Sequence, residues 1–200
     1  MVMPTEIKLE TDRLTLPGIL TVPESPKGLV IFAHGSGSSR FSPRNTMVAQ
    51  SLVSRGFATL LFDLLTESEA SDRSNVFDIP LLADRVAEAV RWAESDARVD
   101  TLPTGLFGSS TGAAAALVAA ANTPSNVVAV VSRGGRPDLA DTALPRVQAA
   151  TLLIVGGADY GVIELNEAAY RRLTCETRLE IVPHATHLFE EPGTLEKVID

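Results

Sequence analysis

Three polar residues stand where apolar runs end: Ser110, Asp159 and His187. Ser110 is the apex of Gly108-Ser109-Ser110-Thr111-Gly112, entered from the apolar stretch 102–107 and left through the alanine-rich run 113–121. A strand, a sharp turn and a small-residue helix in that order form a nucleophile elbow. Such a turn strains the backbone of its central residue and brings strand and helix close, so Gly108 and Gly112 flank it without a Cβ to clash. The helix N-terminus offers unpaired amides and a positive dipole end to a charge developing on a substrate oxygen, and the amide of Thr111 is one expected oxyanion donor. A merely flexible Gly/Ser loop is the structural alternative, and the strand–turn–helix context argues against it.

A serine hydroxyl needs a base, and the base needs an orienting acid. The chain has 3 histidines, at positions 34, 184 and 187. His187 precedes the apolar anchor Leu188-Phe189 and is the favoured base, while His184, directly after Pro183, is its rival. Asp159 closes Gly156-Gly157-Ala158-Asp159 behind an apolar strand and is the favoured acid, with Asp63, Asp138 and Asp141 as rivals. The order Ser, Asp, His suits acyl transfer through a covalent Ser110 ester. His34-Gly35-Ser36-Gly37 follows another apolar run; it lacks both the Lys-Ser/Thr of a P-loop and a GxGxxG, which discounts a phosphate cradle. Arg133 and Arg136 have the chemistry to bind a substrate carboxylate or phosphate, although a solvated surface arginine is the commoner occurrence.

The elements that must hold these residues follow from hydrophobic patterning. Alternation over 5–22, broken by Thr11-Asp12-Arg13 and Pro17-Gly18, predicts an antiparallel pair at a sheet edge. Apolar runs at 28–33, 57–62, 102–107, 127–131 and 151–155 predict strands, those at 28–33 and 57–62 of the buried type, and 178–182 predicts one more strand. Helical spacing predicts helices over 44–55, with Met47, Val48, Leu52 and Val53 on one face, and over 79–97 and 162–173, with a last helix starting after Gly193. The polar, acidic stretch 66–75 has no periodicity and is expected to be a surface loop. Strands alternating with helices imply a mainly parallel sheet covered on both faces, with function at the carboxyl ends of its strands.

With 200 residues and 45% hydrophobic content, the chain is long enough to bury a core as one domain spanning 1–200. The net charge of −8 argues against nucleic acid and against an anionic membrane surface as partners. The opening residues have no secretory pattern and no apolar run reaches the ~18 residues of a membrane span, so the expected location is cytoplasmic. The single cysteine, Cys175, excludes an internal disulfide and a cysteine-based metal cluster. No metal or other cofactor is expected: of the three histidines two are assigned to loops on opposite sides of Ser110, which leaves no three-ligand zinc-hydrolase set.

These motifs together resemble α/β-hydrolases, and most closely the dienelactone hydrolase-like branch. The resemblance runs over nearly the whole chain: His34-Gly35-Ser36-Gly37, the Ser110 elbow, Gly157-Ala158-Asp159, and Pro183-His184-Ala185-Thr186-His187-Leu188-Phe189. It implies an α/β-hydrolase fold without a large lid, and a catalytic set of Ser110, Asp159 and His187. It also implies that His34 braces the loop whose Ser36 amide donates to the oxyanion beside Thr111, and that His34, Gly35 and Arg133 border the substrate. Dienelactone hydrolases proper carry a cysteine nucleophile, whereas this elbow carries serine.

The segment 133–139 resembles that of hydrolase domains sometimes joined to a phosphoribosyltransferase, so association with one is a further expectation, and a homodimer is compatible with the family. The expected activity is hydrolysis of small carboxylic esters, thioesters or related acyl compounds, with a small-molecule acyl substrate. The alternatives are a non-catalytic binding module of the same fold and a peptidase or C–C hydrolase using the same three residues.

Overall fold

The computed structural model describes residues 2–11 and 14–200. The turn expected at Asp12 and Arg13 lies outside the described residues. Two antiparallel strands open the chain, β1 (Thr5–Glu10) and β2 (Thr15–Thr21). Then follow β3 (Leu29–Ala33), α1 (Pro43–Ser54), β4 (Ala58–Phe62), α2 (Glu67–Ser71), α3 (Ile79–Ser95), β5 (Thr104–Ser109) and α4 (Thr111–Asn122). The rest comprises β6 (Val127–Arg133), β7 (Ala150–Gly156), α5 (Tyr160–Arg172), β8 (Thr177–Val182) and α6 (Thr194–Ile199), with 3₁₀ segments at Asn75–Phe77 and Pro137–Arg146.

The described strands form one 8-stranded sheet in the order β1-β2-β4-β3-β5-β6-β7-β8. Pairing is antiparallel from β1 to β4 and parallel from there on. Strand β2 is therefore interior, with β1 alone at that edge. Pro17 is tolerated because its own carbonyl accepts from Asp63 N at the point where the β4 ladder ends, so the missing N–H on that side breaks no rung.

Two apolar layers sandwich the sheet. One face packs on α3 and α4, where Leu82, Val86, Val90 and the alanines of α4 are buried against Leu29, Ile31 and Leu106. The other buries Phe32, Phe107 and Ile154 under α1 and α6. Ring centroids of Phe32 and Phe107 lie 5.0 Å apart across paired strands. The buried residues of α1 are Asn45, Val48 and Ala49; of the predicted face Val48 is buried and Leu52 packs against the same core, while Met47 points outward. Register explains the shift: the buried set follows i, i+3, i+4 from the polar Asn45, which apolar patterning alone cannot select.

The segment after Leu65 is not the expected loop. Thr66 caps α2 through a capping box with Glu69, whose carboxylate accepts from Thr66 N at 2.9 Å. Arg85 of α3, 5% exposed, then ties Glu69 to the main body (2.8 Å) and pairs with Glu88 of its own helix (3.1 Å). A charged tether from a distant helix is invisible to local periodicity. Between β6 and β7 only the 3₁₀ segment intervenes, so the described residues carry no large lid.

Candidate active site

The sheet order sets the site's geometry, because β5 lies between β3 and β4 on one side and β6, β7 and β8 on the other. Ser110 stands at the carboxyl end of this central strand, between β5 and α4, with φ 51° and ψ −123°. That is the strained backbone expected of an elbow, and the two glycines permit it. A Cβ on Gly108 would lie 2.4 Å from Ala113 Cα, and one on Gly112 2.2 Å from Ala33 O. The turn is held by hydrogen bonds to the Ser110 carbonyl from Ala113 N (3.1 Å) and Arg136 N (3.0 Å).

On the β7–β8 side, Asp159 and His187 meet. His187 Nδ1 lies 2.7 Å from Asp159 Oδ2. An ionised carboxylate only accepts, so Nδ1 carries the proton and Nε2 is left as the free lone pair. Backbone bonds join the two loops, from Gly157 N to Val182 O (2.8 Å) and from Ala158 N to Ala185 O (2.9 Å). Gly156 allows this approach, because a Cβ there would sit 2.3 Å from Ala185 O. Glu191 fastens the far side of the loop by accepting from Thr186 N (3.0 Å) and Thr186 Oγ1 (2.7 Å), and these bonds hold its carboxyl below the usual range. Among the described residues no hydrogen bond joins Ser110 Oγ to His187; such contacts commonly tighten only when substrate is bound.

The rivals for these roles are engaged elsewhere. His184 sits exposed in the turn with φ 65°. Asp63 accepts from Arg40 N (2.6 Å) and pairs with the Arg40 guanidinium, Asp138 is forked by Arg136 (2.9 and 2.8 Å), and Asp141 faces Arg172 at the surface. Of the four candidate acids, Asp159 is the one hydrogen-bonded to a histidine among the described residues.

On the β3–β4 side, the loop from His34 abuts the elbow so closely that a Cβ on Gly35 would lie 2.9 Å from Ser110 Cβ. His34 Nδ1 donates to Gly35 O at 3.0 Å while Nε2 accepts from Leu64 N at 3.1 Å, which defines a neutral ring bracing the ends of β3 and β4. Burial pushes its pKa below the ordinary value, against smaller opposing effects of the Gly35 carbonyl and the Asp63 charge. The Ser36 amide donates to Thr111 Oγ1 at 3.1 Å, so the two residues named for the oxyanion are adjacent, with one amide held by the other's side chain.

Arg133 is 4% exposed and turned inward, not toward a substrate or solvent as the sequence suggested. Its Nη2 donates to Ser109 Oγ (3.0 Å) and Asn45 Oδ1 (3.2 Å), and its guanidinium lies 5.8 Å from the Phe189 ring centroid. It thus links the residue before Ser110, helix α1 and the His187 loop. Burial, and less so the charge of Arg44, bring its pKa down to about 10, which leaves it cationic at neutral pH. Sequence reasoning passed over Asn45 and Ser109. The available signal was a polar residue falling in the buried register of an amphipathic helix.

A cavity of about 630 Å³ opens beside Gly35, Ser36 and Thr111 and runs under the segment 64–76. Among the described residues no group of three or more His, Cys, Asp or Glu side chains has a metal-binding arrangement, and no helix is long and apolar enough to cross a membrane.

Known proteins share this fold. Residues 16–196 match the model of the dienelactone hydrolase family. A dienelactone hydrolase structure from Anabaena variabilis superposes with a TM-score of 0.97 at 51% identity, over 99% of this chain and 94% of that one. An α/β serine hydrolase without a lid from Xanthomonas campestris shares the fold alone, with a TM-score of 0.79 at 21% identity over 98% and 90% of the two chains. Two Mycobacterium tuberculosis proteins named as phosphoribosyl transferases are 57% identical over 193 residues, which is 96% of this chain and 44% of theirs. The chain therefore spans less than half the length of those relatives.

Proposed function

The chain belongs to the dienelactone hydrolase family, and from that premise we propose that it is a serine hydrolase cleaving small carboxylic esters, thioesters or related acyl compounds through an acyl-enzyme on Ser110. The observation that carries this reading is the 2.7 Å contact of His187 Nδ1 with Asp159, across the elbow from the His34 loop. It leaves Nε2 unprotonated and available to take the Ser110 proton.

In the proposed reaction, Ser110 Oγ bonds to the carbonyl carbon as its proton passes to His187 Nε2. Asp159 stabilises the imidazolium and the amide of Thr111 faces the oxyanion, while the Ser36 amide, which donates to Thr111 Oγ1 in the free site, must turn from that acceptor to join it. Collapse breaks the bond to the leaving group, which receives the proton from His187. Water, deprotonated by the same nitrogen, then releases the acid and restores Ser110. A non-catalytic binding module needs neither a strained serine nor an oriented histidine, so these features favour the enzyme.

All 200 residues are read as one such catalytic domain. The name of the longer Mycobacterium relatives supports only a proposal, association with a phosphoribosyltransferase, and no transferase chemistry in the matched stretch. Treatment with a fluorophosphonate followed by peptide mass analysis tests the reading: the adduct is expected on Ser110 and absent in Ser110→Ala. Lack of any adduct, or an adduct on another residue that survives Ser110→Ala, refutes it.

A further inference from the structure

We infer that the cavity under the segment 64–76 is the acyl pocket, and that it selects uncharged acyl groups of medium length, about four to eight carbons, over both acetyl and carboxylate-bearing ones. The inference rests on the Ser110 reading and adds to it which side of the ester is recognised and by what chemistry.

The first step is direction. The leaving-group oxygen must face His187 to receive its proton, so the acyl substituent projects to the opposite side of the oxyanion. His187 and Asp159 follow β8 and β7, whereas the cavity is built from the loops after β3 and β4, across β5 from them. Gly35, which abuts Ser110, and Thr111, which follows it, line the cavity, whereas Ser110, Asp159 and His187 do not. A group entering it lies on the acyl side.

The second step is size and polarity. Phe41, Leu64, Leu65, Ala70, Val76 and Leu82 supply apolar wall. Four of these belong to the segment that the Arg85–Glu69 tether fixes over α3, with Asn75 Nδ2 adding a bond to Glu69 O at 3.0 Å. Burial pushes the Glu69 carboxyl up, but the Thr66 amide and Arg85 together outweigh this and keep it below its ordinary value, so the tether stays charged near neutrality. A fixed roof over about 630 Å³ leaves room that an acetyl group does not use.

The third step is charge. Among the described lining residues Arg40 is the one arginine or lysine, and Asp63 neutralises it by accepting from its amide and pairing with its guanidinium. Glu67 at the wall adds a negative charge, and His34 is neutral. Arg133 is buried and Arg136 is forked by Asp138, so neither is free to meet an anion. Among the described residues a carboxylate at the end of the acyl chain would find no free cation and would face the charge of Glu67.

The test uses the p-nitrophenyl esters of acetate, butyrate, hexanoate and palmitate, with the mono-p-nitrophenyl ester of adipate as the charged counterpart of hexanoate. The expected kcat/KM of hexanoate exceeds those of acetate and adipate by about tenfold or more each, since a filled apolar pocket discriminates methylenes and rejects unpaired charge on that scale. Palmitate falls below hexanoate. Val76→Trp and, independently, Ala70→Trp fill the cavity from its roof and lower the hexanoate-to-acetate ratio by about tenfold.

Acetate turned over as fast as hexanoate by the wild-type protein, or a ratio unmoved in both folded variants, overturns the pocket while Ser110-dependent turnover leaves the hydrolase reading intact. Adipate matching hexanoate overturns the charge argument. No turnover of any ester, together with no fluorophosphonate adduct, overturns both readings.

Discussion

Replacing Asp159 by asparagine keeps the shape of the site and removes the charge that His187 Nδ1–H meets at 2.7 Å. During acyl transfer the imidazole becomes cationic, and the lost attraction of two unit charges about 4 Å apart at an effective dielectric of about 20 is on the order of 4 kcal/mol. That corresponds to about 10³-fold in rate. Side-chain exposures of 37% for His187 and 17% for Asp159 admit some solvent screening, so the expected loss in kcat is about 10²- to 10³-fold. His187→Ala removes the base itself and should cost on the order of 10³-fold or more, and Ser110→Ala should match it without adding to it. His184→Ala, at an exposed turn, should cost no more than about tenfold. Initial rates on p-nitrophenyl butyrate, with circular dichroism to confirm folding, measure all four. A folded Asp159→Asn variant within tenfold of wild type, or an inactive His184→Ala beside an active His187→Ala, refutes the assignment.

Acidification should weaken the fold through His34. Its folded pKa is lowered, so the unfolded chain takes up the proton first as pH falls below about 6.5, and stability present above that pH drains away as pH falls through the folded value. Urea melts from pH 7.5 to 5 should show this loss, and His34→Gln should flatten part of it; an identical slope in the variant contradicts the bracing role. Gly112→Ala would place a Cβ 2.2 Å from the Ala33 carbonyl and should destabilise by about 3 kcal/mol or more in thermal or urea melts, whereas unchanged stability would mean that the elbow's close packing is misread. EDTA should leave esterase activity intact, and loss with EDTA followed by recovery with zinc would refute the serine mechanism.

The order of the elements was legible because each buried strand is a continuous apolar run bounded by glycine or a polar turn, as in β3, β4 and β7. That Ser110, Asp159 and His187 stand at strand ends was legible for a related reason: in a parallel sheet a polar residue that closes an apolar run falls at a strand's carboxyl end, so position within the pattern places it before any contact is known. The parts that escaped depend on partners far along the chain. The stretch 66–75 lacks periodicity because one short helix needs only a capping box and one distant arginine, Arg85, to be held. Arg133 resembles a surface residue in sequence. Its acceptors, Ser109 and Asn45, lie on β5 and α1, and nothing local marks them as its neighbours.

That buried arginine also bears on how the strain at Ser110 is sustained. A non-glycine residue at φ 51° and ψ −123° costs on the order of 1–3 kcal/mol and persists only when its surroundings over-determine it. The surroundings do so from three directions. Below, Ser109 Oγ is fixed by Asn45 (3.0 Å) and Arg133 (3.0 Å); beside it, Arg136 N holds the Ser110 carbonyl (3.0 Å); above, Gly35 lies against the Ser110 side chain. Arg133 and Arg136 belong to one turn, 133–136, in which Gly134 leaves room for the His187 carbonyl, a Cβ there falling 2.7 Å from it. The same turn therefore anchors the serine and seats the histidine loop. Arg133→Met should consequently loosen both, with kcat falling while the helical signal and the Asp159–His187 pairing survive. A variant with unchanged kcat would show that the glycines and backbone bonds alone hold the elbow.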